Sequence, residues 1–318
     1  MIRTFAAAMY GDITVVHDPA VGTNHISPQP LPAGRVSLDD RQVAAWSLVD
    51  LALLALLALE FPLSMCWSPI VRCNLACPQC LDDKSVREST AAERLTLARH
   101  IAASGILGVD ISGGEPLLLR DLPDLALTIR RQGTSVVSCT TNGWHLARRA
   151  EEIAGAVDAI RVSLDGATED THDTWRGPNS YQRAITGIHA AVDEGLLVQL
   201  QMVLMQSNKH EAQQLVDLAA QLGAGGVTFL QMLPIGDGAA LAAGQMLTDE
   251  QAQAVVEPLT VPDGVRVRLR TRQSAGGFTV LRADGYAWRN TLGATGISAF
   301  VPVTGPADLR LPTSRSDS

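Results

Sequence analysis

Strand-like and helix-like segments alternate from about residue 67 to residue 233, and this alternation limits the fold more than any other feature of the sequence. Six short apolar runs predict strands: 68–72, 108–112, 135–140, 159–164, 198–205 and 226–231. Five amphipathic segments predict helices: 89–104, 121–132, 147–156, 181–194 and 211–222. Strands that alternate with helices pair in parallel through right-handed crossovers. Eight units close a full barrel, so six predict an α/β fold with an open, partial (β/α)6 barrel of the TIM type, whose site lies at the carboxyl ends of the strands.

The regions on either side of this repeat have different patterns. Residues 13–16 are apolar or β-branched, a Pro- and Gly-rich loop follows at 27–34, and 40–60 predicts a buried helix. Asp284-Gly285 lies between two β-prone runs, which is a typical hairpin signal. We therefore expect four regions: a hairpin and helix cap at 1–63, the barrel core at 64–245, a small β extension at 246–303 and a flexible tail at 304–318.

The charge and composition exclude several classes of partner. The net charge is −8 and aromatic residues make up 4%, so neither electrostatic attraction nor base stacking favours nucleic acid, and an anionic membrane surface is equally disfavoured. The most apolar stretch, 51–59, would rise only about 14 Å as a helix, too little to span a bilayer. Five cysteines, three of them within eight residues, favour a metal site in a reducing cytoplasm over a set of disulfides.

Cys73, Cys77 and Cys80 form a C-x3-C-x2-C motif directly after the first predicted strand. Three thiolates on one tight loop can bind three irons of a cubane cluster and leave the fourth iron open to a small molecule. The alternative is structural zinc, which usually has four ligands arranged in pairs. Its fourth ligand would have to be Cys66, seven residues upstream, so the motif favours the cluster.

This motif and five later positions resemble the radical S-adenosylmethionine (SAM) superfamily, over about residues 64–240. The matching positions, in chain order after the cysteines, are Gly113-Gly114-Glu115, Thr141-Asn142, Ser163, Arg176 and Met232. The resemblance implies one [4Fe–4S] cluster on the three cysteines, SAM bound by these residues and an external one-electron reductant of flavodoxin or ferredoxin type. Glu115 would pair with the SAM ammonium group and Arg176 with its carboxylate. One-electron cleavage of SAM would then give a 5′-deoxyadenosyl radical.

The chain departs from the family pattern at one position beside the cluster motif. The residue before the third cysteine is usually aromatic in this superfamily and helps to hold the adenine. Here it is Gln79, whose amide can form hydrogen bonds but cannot stack.

The later segments resemble the SPASM/twitch branch of the superfamily, whose members carry cysteines for auxiliary clusters in a C-terminal extension. The matching stretch, 276–288, has no cysteine, so we expect no auxiliary cluster. Redox-neutral chemistry on a small polar metabolite follows, such as decarboxylation, dehydration or epimerisation of a sugar, nucleoside or aminocyclitol in natural-product biosynthesis. The cytosylglucuronate decarboxylases are one example. A dehydrogenase or peptide modifier is the enzymatic alternative, and a non-catalytic Fe–S or zinc sensor is the alternative outside enzymes.

Residues that would contact the substrate or act on it are predicted from their places on the strands. Gln199 and Gln201 give the fifth strand one polar face, which is unusual for a buried parallel strand, and Gln231 ends the sixth. We expect all three to line the barrel and bind substrate. Cys139 and Tyr10 are the candidate catalytic residues, on the expectation that Cys139 faces the barrel interior and that the N-terminal hairpin brings Tyr10 to the substrate.

Two groups of residues are assigned structural roles. Arg268 and Arg270 alternate with apolar residues, which favours a solvated edge strand, although binding of a substrate carboxylate or phosphate stays open. Cys66, before the first predicted strand, is assigned to packing.

Overall fold

The computed structural model describes residues 1–50, 53–54, 57, 59–272, 279–289 and 300–311. Its strands are β1 (Ile2–Tyr10), β2 (Ile13–Asp18), β3 (Thr23–Ser27), β4 (Gly34–Asp39), β5 (Ser64–Trp67), β6 (Gly108–Ile111), β7 (Val136–Thr141), β8 (Ala159–Ser163), β9 (Val198–Leu204), β10 (Gly226–Gln231), β11 (Arg266–Arg270), β12 (Thr279–Leu281), β13 (Tyr286–Arg289) and β14 (Val301–Pro302). Its α-helices are α1 (Asp40–Ala44), α2 (Ala91–Ala102), α3 (Leu122–Gln132), α4 (Leu146–Ala154), α5 (Glu169–Arg176), α6 (Ser180–Asp193), α7 (Ala212–Gln221), α8 (Ala242–Gln245) and α9 (Asp249–Val256).

Ten strands form the main sheet, in the order β11-β10-β9-β8-β7-β6-β5-β12-β13-β14. The strands from β11 to β12 pair in parallel, and β13 and β14 add antiparallel pairs at the β12 edge. The predicted open, partial barrel is confirmed. One boundary is wrong, because the first strand is Ser64–Trp67 and residues 68–72 already belong to the loop that follows it.

Each strand of the barrel has one apolar face, which packs against the helices, and one polar face. The apolar side chains include Trp67, Ile111, Val162, Leu200 and Phe229, all buried in the main hydrophobic cluster. The alternating side chains lie on the opposite, concave side of the sheet, which we call the inner face. It carries the following polar residues: Cys66, Asp110, Ser138, Thr140, Arg161, Ser163, Gln199, Gln201, Thr228, Arg266, Arg268 and Arg270.

The curvature of the sheet brings distant strands together across the inner face. Arg161 of β8 and Arg268 of β11 are three strands apart, yet a Cβ at Gly22 would lie 3.1 Å from Arg161 Nη2 and 3.4 Å from Arg268 Nη1. Gly22 has φ of +65°, a conformation that favours glycine. A turn of the N-terminal region is therefore inserted into the concave side of the barrel, between β8 and β11.

The N-terminal region is a four-stranded antiparallel sheet in the order β3-β2-β1-β4, and not the single hairpin expected from the sequence. It packs against the amino ends of the barrel strands, where Arg35 forms an ion pair of 2.6 Å with Asp158, just before β8. Tyr10 packs in an apolar cluster with Leu63, Leu107 and Val136, which precede or begin β5, β6 and β7. The expectation that Tyr10 reaches the substrate is wrong, because a TIM-type site lies at the opposite ends of these strands.

A buried ion-pair group fixes this sheet to the barrel. The fully buried Asp18 accepts from Arg3 at 3.2 Å and from Arg266 of β11 at 2.7 Å. Burial alone would raise the pKa of Asp18, but the two guanidinium groups hold it well below its usual range.

The remaining predictions outside the barrel have mixed outcomes. Within the range 40–60, where one helix was expected, residues 40–44 form the five-residue α1 and residues 45–50 are not helical. Leu53 and Leu54 are again helical, and most of 51–58 lies outside the described residues. The hairpin around Asp284-Gly285 is confirmed as β12 and β13. The predicted tail packs at its start, where Leu309 is buried, and 312–318 lie outside the described residues. No helix within the described ranges is long and apolar enough to cross a membrane.

Candidate functional site

The carboxyl ends of β5 to β10 form one rim, and the predicted motif residues lie along it. The cysteine loop follows β5, Gly113-Gly114-Glu115 follows β6, and Thr141 ends β7. The half-buried Ser163 ends β8, and Met232 follows β10. Because parallel strands end on the same side of the sheet, residues spread over 160 positions of sequence meet at this edge.

The loop that carries Cys73, Cys77 and Cys80 packs on the loop after β6. Gly114 N donates to Ile70 O at 2.9 Å, and a Cβ at Gly114 would lie 2.3 Å from the carbonyl oxygens of Val71 and Arg72. A side chain at Gly114 would therefore push the cysteine loop out of place. The three cysteine side chains are partly exposed at the rim.

Glu115 holds the second and third strand ends together. Its fully buried carboxylate accepts from Thr141 Oγ1 at 2.6 Å, from Asn142 N at 2.8 Å and from Leu117 N at 2.9 Å. Burial raises the pKa of Glu115. The predicted residues Glu115, Thr141 and Asn142 are thus brought into one hydrogen-bonded group.

Asn142 extends this group to the cysteine loop. Its Nδ2 lies 3.7 Å from Cys73 Sγ and donates to Asn74 Oδ1 at 2.9 Å, while its Oδ1 accepts from Trp144 N at 2.9 Å. All the polar atoms of the Asn142 side chain are therefore occupied in positioning the start of the motif.

Asp165, which was not predicted as a site residue, forms a second hydrogen-bonded group at the end of β8. Its fully buried Oδ2 accepts from Gln79 Nε2 and from Arg176 Nε, both at 2.7 Å, and its Oδ1 accepts from Val203 N at 2.8 Å. The amide of Gln79 therefore anchors the cysteine loop to β8, while its buried Oε1 has no hydrogen-bond partner. The only signal in the sequence was the Ser-Leu-Asp-Gly run after the strand.

Arg176 lies beside the cysteines, at the end of the short helix α5. Its positive charge acts on Cys77, although burial is the larger effect and raises the pKa of that thiol to about 11. Only its Nε donates to Asp165, and neither Nη group donates a hydrogen bond within the described part of the chain. The fork of the guanidinium is thus available to a carboxylate next to the cysteine loop.

Met232 is buried beneath the cysteine loop. Its Cε lies 3.2 Å from the Cβ position of Gly238, whose N donates to Cys80 O at 3.2 Å. Met232 thus lies beside the segment that follows β10 and contacts the third cysteine.

The three residues predicted to bind substrate do not all lie on the same face of the sheet. Gln199 and Gln201 lie on the inner face, as expected. Val198, Leu200 and Met202, which alternate with them along β9, pack on the helices. Gln231 points the other way, and its amide binds Leu247 O at 2.7 Å and Arg272 N at 2.5 Å. The expectation that Gln231 lines the barrel is therefore wrong, because its side chain is bound by backbone groups outside the inner face.

The expectation that Cys139 faces the barrel interior is also wrong. Cys139 is fully buried in the main hydrophobic cluster, on the helix side of β7, and its neighbours Ser138 and Thr140 face inwards instead. Their hydroxyl groups donate to Asp110 at 2.7 and 2.8 Å. The strand alternates faces as predicted, but its inward-facing residues are the other set.

Sequence reasoning missed much of the inner face. Cys66 lies within β5, with its Sγ 2.8 Å from Ser112 Oγ, and burial raises its pKa to about 12. Arg161 forms an ion pair with Asp110. Arg268 and Arg270 are half-buried on this face and not on a solvated one, although β11 is an edge strand of the sheet, as the sequence predicted. A signal was present, because Asp110 and Arg161 are charged residues inside otherwise apolar strands.

The cysteine loop fits a cubane cluster. Three half-buried thiols lie on one loop beside a cation and two hydrogen-bonded groups that fix the loop. Within the described residues, no three His, Cys, Asp or Glu side chains converge on a single metal position. A cubane does not require this convergence, since each thiolate binds its own iron.

Residues 67–219 match the family model described as the radical SAM superfamily. A probable GTP 3′,8-cyclase of Metallosphaera sedula is 30% identical over 172 residues, which are 52% of this chain and 54% of that protein. An Fe-coproporphyrin III synthase of Methanosarcina barkeri is 29% identical over 198 residues, or 59% and 49% of the two chains. The chain thus spans about half the length of these curated relatives.

Solved structures share the fold at low sequence identity. SuiB of Streptococcus suis, bound to its precursor peptide SuiA, gives a TM-score of 0.62 at 12% identity over 90% of this chain and 82% of SuiB. The structure titled native anSMEcpe with bound AdoMet gives 0.58 at 18% identity over 71% of this chain and 74% of that one. With the family match and the motif residues gathered on one rim, residues 67–219 form a domain of the radical SAM superfamily, whose enzymes use a [4Fe–4S] cluster and SAM.

Proposed function

We propose that this chain binds one [4Fe–4S] cluster through Cys73, Cys77 and Cys80 and abstracts a hydrogen atom from a small polar metabolite on the inner face. The observation that carries the proposal is the position of the cysteine loop at the rim of a face lined with polar side chains. When bound, the cluster and SAM supply the electron and the 5′-deoxyadenosyl radical that begin the reaction.

The residues around the loop have separate roles in this proposal. Arg176 binds the SAM carboxylate with its free fork, and Asp165 orients the guanidinium through Nε. Glu115 fixes Thr141 and Asn142 and places a buried negative charge where the SAM ammonium group binds. Ser163 and Met232, at the ends of β8 and β10, complete the contact surface.

The reaction proposed is redox-neutral, such as a decarboxylation, dehydration or epimerisation in natural-product biosynthesis. The support is that residues 140–318 contain no cysteine with which to hold an auxiliary cluster for the substrate electron. A cytosylglucuronate-type substrate, with its sugar, base and carboxylate, is one molecule with the required polarity. The external reductant is proposed to be a flavodoxin or ferredoxin.

A second candidate is a radical cyclisation of a nucleotide. It is favoured by the matches to relatives named probable GTP 3′,8-cyclase, at 30% and 32% identity over about half of each protein. Incubation with GTP under the assay conditions below, followed by mass spectrometry, separates the two candidates. A new isomer of GTP supports cyclisation, and unchanged GTP leaves the redox-neutral lyase or isomerase as the proposal.

The test is anaerobic reconstitution, followed by iron analysis and an assay of 5′-deoxyadenosine formed from SAM and dithionite. We expect about four irons per chain, as in a single cubane, and deoxyadenosine. Cys73→Ala, Cys77→Ala and Cys80→Ala should each lose both.

Cys139→Ala is the matched control, because this cysteine lies in the hydrophobic cluster on the helix side of β7. It should keep the iron and the SAM cleavage. Eight or more irons would overturn the single-cluster proposal, and a loaded cluster without SAM cleavage would favour a non-catalytic sensor.

A further inference from the structure

The inner face of the barrel carries a cysteine that the proposed cluster does not use. Of the five cysteines, three lie on the rim loop, Cys139 packs on the helix side of β7, and Cys66 lies within β5. Met65 and Trp67, on either side of Cys66, are buried in the main hydrophobic cluster, so the Cys66 side chain points to the inner face. A thiol therefore does face the barrel interior, but it is Cys66 and not Cys139.

Cys66 lies directly beneath the rim that carries the cysteine loop. It is the penultimate residue of β5, and the loop begins after the last residue, Trp67. Its register partner Asp110 is penultimate in β6, and Ser112, just after that strand, brings its Oγ to 2.8 Å from Cys66 Sγ. Cys66 is only half-buried, although burial is the largest influence on its ionisation. A side chain that lies deep in the fold and is still partly exposed faces an open space on the concave side.

Two buried polar atoms beside or on the inner face lack a partner. Oδ2 of Asp82, whose charge acts on the Cys66 thiol, has no hydrogen-bond partner within the described residues. The hydroxyl of Thr228, a residue that is 2% exposed, likewise has none in the part of the chain that the structure describes. Val227 and Phe229 beside it pack in the main cluster, so this hydroxyl faces inwards. Buried polar groups are normally hydrogen-bonded, so these atoms indicate that a polar molecule completes the concave side.

Cys66 is kept as a neutral thiol. Burial, and after it the charge of Asp110, raises the pKa of Cys66 to about 12, so the group is protonated at neutral pH. Thiolates, and not thiols, are the metal ligands and nucleophiles of proteins. The reactive part that remains is the S–H hydrogen. A carbon radical removes it readily, because an S–H bond is weaker than the C–H bond of an alcohol or a sugar.

We propose that Cys66 is a catalytic residue whose thiol gives a hydrogen atom to the substrate radical on the inner face. This assignment rests on the proposed function and deepens it, because it makes epimerisation the reaction. The substrate first loses a hydrogen atom to the 5′-deoxyadenosyl radical, so its C–H bond breaks and a C–H bond of 5′-deoxyadenosine forms. The carbon radical then takes hydrogen from Cys66 on its opposite side. The S–H bond breaks, a new C–H bond forms and a thiyl radical remains.

The thiyl radical returns to the thiol before the next turnover. It takes one electron from the external reductant of flavodoxin or ferredoxin type and one proton from solvent, which restores the S–H bond. Each turnover therefore uses one SAM, one electron for its cleavage, a second electron for the thiyl radical, and one proton. Substrate and product are isomers, so the reaction is redox-neutral for the substrate.

The experiment uses the reconstituted full chain in D2O, with SAM and dithionite and without substrate or added thiol. In this sample the 5′-deoxyadenosyl radical takes hydrogen from the weakest bond within its reach. The hydrogen of a thiol exchanges with solvent, whereas carbon-bound hydrogen does not, so donation by Cys66 places one deuterium in 5′-deoxyadenosine. We expect most of the wild-type product to carry one deuterium by mass spectrometry. Cys66→Ser should lower the deuterated fraction at least tenfold, because an O–H bond is too strong to give up its hydrogen.

Three further comparisons isolate the effect. Cys139→Ala removes a thiol from the helix side of β7 and should keep the deuterated fraction of the wild type. Cys66→Ser should keep the iron content of the wild type, since Cys66 is not assigned to the cluster. Cys66→Ala should match the serine variant and replaces it if that variant does not fold.

Equal deuterated fractions in wild type and Cys66→Ser, or an unlabelled wild-type product, would overturn the donor role of Cys66. Lack of 5′-deoxyadenosine in the same wild-type preparation would instead refute the proposed function.

Discussion

At the scale of single residues, Asp165 connects three parts of the rim that are far apart in the sequence. Its carboxylate binds Gln79 of the cysteine loop, Arg176 of α5 and the backbone of β9. Because both oxygens are buried, the bonds are not weakened by exchange with water. The orientation of Arg176 towards the proposed SAM carboxylate therefore depends on a residue that does not itself need to touch SAM.

Asp165→Asn should weaken SAM binding at least tenfold. Asparagine retains one acceptor oxygen, so it can still bind Val203 N, but it loses the charged bond to Arg176, a type of bond worth about 1.5–3 kcal/mol. The measurement is equilibrium binding of SAM to reconstituted protein, normalised to iron content. Asp170→Asn makes the same charge change on the exposed side of α5 and should bind SAM like the wild type. Equal affinities in the two variants would show that Asp165 does not position Arg176.

The sequence predicts a site residue well when a short local motif contains it. It predicts poorly when the assignment depends on which face of a strand the side chain occupies. The cysteines, Gly113-Gly114-Glu115 and Arg176 were found because short motifs carry them. Asp165 was missed, since its partners at 79 and 203 are known only after folding. Cys139 and Gln231 were assigned to the inner face by counting along a strand, and the structure shows each of them on the other side.

At the scale of elements, the packing of one loop against another decides where the cysteines lie. The chain between β5 and Cys73 contains the buried Ile70 and Val71, which is why 68–72 was predicted as a strand. Hydrophobicity continues past the last paired residue, Trp67, because this loop is itself buried under the segment that follows β6. An apolar pattern indicates burial, and it cannot show where strand pairing ends.

Gly114→Ala should reduce iron incorporation severely while leaving the fold intact. The added Cβ would collide with the backbone carbonyl oxygens of Val71 and Arg72, which cannot move aside as a side chain can. The measurement is iron per chain after reconstitution, with circular dichroism as the check on folding. Gly155→Ala is the control, because its nearest atom would be 3.8 Å away. If Gly114→Ala loads iron as fully as Gly155→Ala, the loop contact does not position the cysteines.

At the scale of the whole molecule, the N-terminal sheet closes one end of the open barrel. The (β/α) alternation predicted the barrel because each unit has its own periodic signal. The closure was not predictable, since it depends on Asp18 meeting Arg266 and on Arg35 meeting Asp158, pairs of ordinary charged residues with no motif around them. The sequence suggested a small hairpin, but strands β1 to β4 form a sheet that covers the amino ends of the barrel strands.

Asp18→Asn should destabilise the protein by about 3–5 kcal/mol, the usual cost of removing one partner from a buried ion pair. Because the pKa of Asp18 is depressed in the folded state, its contribution is present above the ordinary carboxyl pKa of about 4 and is lost as the pH falls below it. Urea unfolding at several pH values measures both effects, and the variant should lose less stability on acidification. Asp12→Asn, in the exposed turn between β1 and β2, is the control. Identical acid profiles for Asp18→Asn and the wild type would contradict this account.

The insertion of the Pro19–Gly22 turn into the concave side of the barrel also has a consequence for how the protein is made. Asp18 and its partner Arg266 are 248 residues apart, so at about 5–20 residues per second the ribosome needs tens of seconds to supply the second after the first. The turn is therefore synthesised well before the barrel that will surround it, and β11 is the last strand to reach it. The yield of folded protein should then increase when this early segment is protected until β11 leaves the ribosome. Co-expression of a chaperone or a lower growth temperature would provide that protection.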